Sequence, residues 1–237
     1  MLQSIKTLRG HSIVATDGEI GKLEDFFFDD VTWTIRYFVV DTGSWLFGKR
    51  VLISPTFAGP ADPNQRIPVT LTREQVKNSP DIDTRKPVSR QRDLEMAPYL
   101  GWPAYGIIGE AMFPPPVLPP VTSAQTNDDP HLRSTSEVLG YHISATDGDV
   151  GKVVDFAFSE QSWQIRFLVV DTGSWLSKDQ VLIAPSWISD ISWEDRAVRV
   201  ELDVESIRRS PEFHAGFPIA EDYVLQLQSH YGKDHRT

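Results

Sequence analysis

Short runs of β-branched and aromatic residues, broken by turn dipeptides every few positions, dominate the chain and predict strands rather than helices. Asp17-Gly18 and Asp147-Gly148 each open a hairpin or tight bend, because glycine reaches positive φ and aspartate bonds the local backbone. Strands are predicted over Lys22 to Phe28, Ile35 to Val40, Val51 to Ile53 and Ile67 to Leu71. A second set follows over Lys152 to Phe158, Ile165 to Val170, Val181 to Ile183 and Val198 to Leu202. Pro55 and Pro185 stop the third strand of each set. One short helix closes each set, with Thr72 or Asp203 as N-cap and Gln75 or Ser206 three residues on. Short strands at such close spacing predict a small closed or highly curved sheet, which also hides its edges.

The two sets are one sequence written twice. Residues 8–55 repeat at 138–185 with a constant offset of 130 and about half the positions identical. After a one-residue shift, VTLTREQVKNSPDI at 69–82 aligns with VELDVESIRRSPEF at 200–213, and a fainter trace reaches Leu100-Gly101 against Tyr231-Gly232. This predicts a first unit over 1–101, a linker over 102–133 and a second unit over 134–237. Pro114, Pro115, Pro116, Pro119 and Pro120 give the linker the composition of a semi-rigid tether.

The ordered set DG..GK, W.IR, VVDTG.WL and V.I.P, followed by a short helix ending at Ser-Pro, resembles the PRC-barrel family in both units. That fold is shared by the photosynthetic reaction-centre H subunit and the ribosome-maturation factors. The resemblance implies a mainly β protein of two tandem small barrels, each with a short C-terminal helix and an irregular tail. It also implies a protein-contact module without chemistry of its own. The reaction-centre subunit's membrane helix and the maturation factors' RNA-processing domain have no counterpart here.

Composition narrows the classes. The 237 residues include 40% hydrophobic and 24% charged positions, within the globular range. No run approaches the roughly 18 apolar residues of a membrane span, and MLQSIKTLRGHS holds no apolar run of signal-peptide length, so a cytoplasmic address is expected. The absence of cysteine excludes disulfides, thiol catalysis and cysteine-held metals. Charge divides unevenly: 3–101 carries 13 basic and 13 acidic residues, whereas 134–232 carries 7 and 16. The acidic second unit favours a basic protein partner met by salt-sensitive steering and disfavours direct nucleic-acid binding.

The feature closest to chemistry is Asp41-Thr42-Gly43 and Asp171-Thr172-Gly173, two Asp-Thr-Gly loops in a duplicated chain. Aspartic peptidases pair two such carboxylates over one shared proton. They also need an apolar-apolar-glycine segment for each loop, and only Ile107-Ile108-Gly109 is available, in the unrepeated linker. The preferred reading has Asp41 and Asp171 accepting hydrogen bonds from their own loops. GEIGK at 18–22 and GDVGK at 148–152 run into strands, not the helix start that phosphate binding needs. The six histidines show no metal-ligand spacing, so neither cofactor nor metal is expected. Trp33 and Trp163 are assigned to the strand face shared with Ile35 and Ile165, whereas Trp45 and Trp175, in loops, are candidate interface anchors. The expected function is a non-enzymatic interaction module with a stress-related or complex-assembly role. The barrels are either tethered and bivalent or packed as a pseudo-symmetric pair in place of a homodimer, with homo-oligomers also open. The alternatives are a peptidase and a soluble subunit of a photosynthetic complex.

Overall fold

A computed structural model describes residues 2–78, 132–173, 180–192, 194–213 and 219–232. Trp175, most of the linker and the first unit's tail lie outside these residues.

The first sheet contains β2 (Ser12–Ala15), β3 (Gly18–Asp29), β4 (Thr34–Asp41), β5 (Arg50–Ile53) and β6 (Arg66–Pro68) in the order β5-β4-β3-β2-β6. All neighbours are antiparallel except β2 and β6, which run parallel. Beyond β5 the chain turns at Pro55–Phe57 and bridges Ala58 to Val69, bringing the far edge of the sheet back toward β6. Phe26, Phe38, Leu23, Ile13, Val51 and Ile67 fill the interior, as period-2 alternation on a curved sheet requires. The helix α2 (Arg73–Lys77) starts with a capping box between Thr72 and Gln75.

The second sheet repeats this plan with β8 (His142–Ala145), β9 (Gly148–Ser159), β10 (Ile165–Asp171), β11 (Gln180–Ile183), β12 (Ile188–Ser192) and β13 (Ala197–Val200). Here the closing segment forms a full strand, β12, paired with β13. Asp203 caps α4 (Val204–Arg208), and α5 (Glu221–Tyr231) packs Tyr231 on the buried Trp187 at 4.3 Å.

Two further strands cross between the sheets. β1 (Leu2–Ser4) leaves its own unit and pairs with β9, Leu2 against Ser159 and Ser4 against Ala157. β7 (Leu132–Ser134) pairs with β3, Leu132 against Asp29 and Ser134 against Phe27. Each partner in one pair lies 130 residues from its counterpart in the other, the offset of the repeat. The short helices α1 (Ile5–Leu8) and α3 (Thr135–Val138) follow directly, and Ile5, Thr135 and Val138 are fully buried. Of the two arrangements expected, the described residues adopt the packed pair, and β7 crosses the linker boundary drawn at 133.

His11 is 6% exposed beside β3. Desolvation, with help from Lys22 and against Asp62, pushes its pKa below the ordinary 6.5. A depressed histidine favours the neutral form, so its contribution is complete above pH 6.5 and is lost as pH falls through the folded-state value. His11→Tyr, the residue at the matching position 141, should therefore flatten the acid limb of stability. Urea midpoints at pH 8 and pH 5 measure the difference.

Candidate interaction surfaces

The seam between the sheets is built from residues that alternation alone misplaces. Trp33 and Trp163 do not continue β4 and β10: they sit just before them in left-handed backbone, φ 55° and 56°. The core packing expected of them holds, Trp33 buried and Trp163 half-buried against the same core, but left-handed backbone takes both out of the strand alternation shared with Ile35 and Ile165. The geometry frees each tryptophan carbonyl to face the other unit. Ile35 N donates to Trp163 O at 2.8 Å, and Ile165 N donates to Trp33 O at 2.7 Å. Trp33 stacks on Phe28 at 5.4 Å and Trp163 on Phe158 at 5.2 Å, while Phe28 meets Phe156 and Phe38 meets Trp163 across the seam. Such ring pairs contribute about 0.5–1.5 kcal/mol each beyond their buried area.

Two buried carboxylates lock the exchanged strands. Asp25 accepts from the Ser134 hydroxyl, Thr135 Oγ1 at 2.7 Å, Ser136 N at 3.1 Å and the Arg9 guanidinium at 2.8 Å. Asp155 accepts from the Ser4 hydroxyl, Lys6 N at 3.2 Å and its neighbour Phe156 N at 2.8 Å. Ser4 and Ser134 also cap α1 and α3 by accepting from Thr7 N and Glu137 N. Each hydroxyl thus donates across the seam and accepts from its own helix start. Flanking the seam are two clefts of about 550 and 270 Å³, the larger lined by Val31, Trp33, Gln164, Arg166, Pro185 and Ile188.

The turn and loop residues singled out in the sequence do structural work. Asp17 accepts from Arg73 N and Asp147 from Val204 N, so each turn also caps the helix that ends its unit. Gly18 has φ 144°, which suits glycine, whereas Gly148 lies outside the positive range. Asp41 accepts from Gly43 N at 2.9 Å and Asp171 from Gly173 N at 2.8 Å, with both glycines left-handed. The two loops are not brought together. The antiparallel bridge Thr34↔Gln164 sends β4 and β10 in opposite directions. Asp41 and Asp171 lie at their far ends, each about 23 Å of strand from the bridge at ~3.3 Å per residue. Among the described residues, no group of three or more histidine or acidic side chains gathers around a metal-sized site.

Trp45 is half-buried beneath Arg73, whose guanidinium carbon lies 4.4 Å from the ring centre. The exposed aromatic is its neighbour but one, Phe47, at 100% exposure with φ 57°. Gly48 N to Gly43 O at 2.6 Å, Lys49 N to Leu46 O at 3.1 Å and Thr42 Oγ1 to Lys49 O at 2.7 Å hold this loop in shape. Left-handed backbone costs a phenylalanine about 1 kcal/mol or more, so the loop's own hydrogen bonds hold Phe47 in a conformation it does not prefer.

Residues 3–76 match the family model for the PRC-barrel domain. The match spans β2 to β6 of the first sheet, most of α2, and most of β1, which pairs with the second sheet. The second sheet follows the same strand plan through the internal repeat. No curated protein matches the chain. Among the described residues, no helix is long and apolar enough to cross a membrane.

Proposed function

We propose that this protein is a non-enzymatic protein-interaction or assembly module that docks a protein partner through the rigid loop carrying Phe47. The PRC-barrel match supports the general role, and the fully exposed Phe47 carries the specific one. Trp45 and Arg73 form the pedestal, and the acidic second unit adds steering toward a basic partner. A buried aromatic anchor typically contributes about 2 kcal/mol or more to binding. Phe47→Ser introduces the residue found at matching position 177, so the fold should be unaffected. Wild type and variant, immobilised at low and high salt, are compared by the proteins they retain from the native lysate. A partner held by wild type and weakened about thirtyfold by Phe47→Ser is expected. Identical retention by both proteins, with equal thermal midpoints, would remove the loop from the contact surface.

A further inference from the structure

We propose that the seam also joins two copies of this chain, the first unit of one closing on the second unit of another. The joint uses β1 and β7, not the Phe47 loop, so it stands separately from the docking role proposed above.

β1 on β9 and β7 on β3 have the same register, and each carries a serine hydroxyl to an aspartate, Ser4 to Asp155 and Ser134 to Asp25. The tryptophan carbonyls are exchanged in the same reciprocal way. This is the geometry of a self-complementary, two-fold interface, in which what one unit offers the other receives. Such an interface reads the unit, not the chain that the unit belongs to.

Only the connection between units favours closure within one chain. α2 is tied to the start of β3 through Asp17 and Arg73, and β7 lies on the other end of β3 at Phe27 to Asp29. The linker must therefore cover at most the length of β3, about 36 Å at ~3.3 Å per residue. Residues 79–131 supply far more chain than that, reaching roughly 180 Å when extended at ~3.4 Å per residue. A tether of such contour length holds two units at an effective concentration on the order of millimolar at most. When chains fold together near that concentration, units of different chains compete for the same seam. Reciprocal exchange gives a closed dimer, and one-way exchange gives head-to-tail chains.

The natural chain has no cysteine, which permits a direct test. Leu2 and Ser159 are register partners, so Leu2→Cys in one chain and Ser159→Cys in another can bond only when β1 of the first lies on β9 of the second. The two full-length chains are unfolded, mixed, refolded at about 0.1 and about 1 mM, oxidised and run without reductant. A disulfide-linked species of twice 26.7 kDa is expected, its share rising about fivefold between the two concentrations when the effective concentration is about 1 mM. Leu2→Cys/Ser159→Cys in a single chain reports that the register permits the bond. Leu2→Cys mixed with Ser189→Cys, at an exposed position of β12, sets the background of chance collision. If the single-chain disulfide forms but the two-chain species never exceeds that background at 1 mM, the inference is overturned.

Discussion

Gly21→Ala lowers stability by about 3 kcal/mol or more, although Gly21 has an ordinary φ and alanine is among the mildest substitutions. A Cβ there would lie 2.0 Å from the Asp41 carbonyl oxygen and 2.8 Å from Thr42 Cα, both backbone atoms that cannot rotate away. β3 and the end of β4 must separate to admit it, and overpacking against fixed atoms commonly costs about 1–3 kcal/mol before any such separation. Gly151→Ala should behave alike, its Cβ lying 2.1 Å from Asp171 O. Gly10→Ala is the informative comparison: φ is 82° and nothing lies within 4 Å, so only the backbone penalty of about 1 kcal/mol applies. Thermal midpoints measure all three. At about 2–4 °C per kcal/mol for a chain of this size, Gly21→Ala should fall by roughly 6–12 °C and Gly10→Ala by a few degrees. Equal shifts at Gly10 and Gly21 would contradict the close-crossing account.

The second large effect is Asp25→Ala. It removes the counter-charge of the Arg9 guanidinium, which keeps only its bond to Thr135 Oγ1, and the acceptor of two hydroxyls and the Ser136 amide, in a site where the aspartate side chain is only 12% exposed. Removing one member of a buried charged cluster costs about 3–5 kcal/mol, and the 25% exposure of Arg9 places this case near the lower end. Asp155→Ala should cost less, about 2 kcal/mol, because the position matching Arg9 is Leu139 and no cation is stranded. Urea unfolding of the two variants ranks them.

Much of the fold was legible because it rests on local chemistry. Asp17-Gly18, the Thr72 and Asp203 caps and the strand runs from Ile35 and Ile165 each express a preference that a few neighbouring residues decide. The seam was less legible, since it depends on contacts more than 100 residues apart. Its signal was nevertheless present: Leu2 and Ser4 stand 130 residues before Leu132 and Ser134, so the repeat extends back past residue 8. Trp33 and Trp163 misled because strand alternation assumes extended backbone, and both residues are left-handed. Gly21 and Gly151 resembled part of a phosphate loop, but the close approach of Asp41 and Asp171 explains their need for glycine. Phe47 was hidden by its neighbour Trp45, the larger aromatic. The divergence of the two loops from position 47 onward, FGKR at 47–50 against SKDQ at 177–180, was the clue.

The central claim is that β1, β7 and the two aspartates bind the repeats into one body whether or not the linker is intact. A protease site placed between residues 102 and 130 and cut in the folded protein tests it most directly, read by size-exclusion chromatography with light scattering. The account predicts that the cut chain elutes as one particle of 26.7 kDa, and that Asp25→Ala with Asp155→Ala releases two fragments under the same conditions. Separation of the wild-type halves without denaturant would contradict it, leaving two barrels joined by their tether alone.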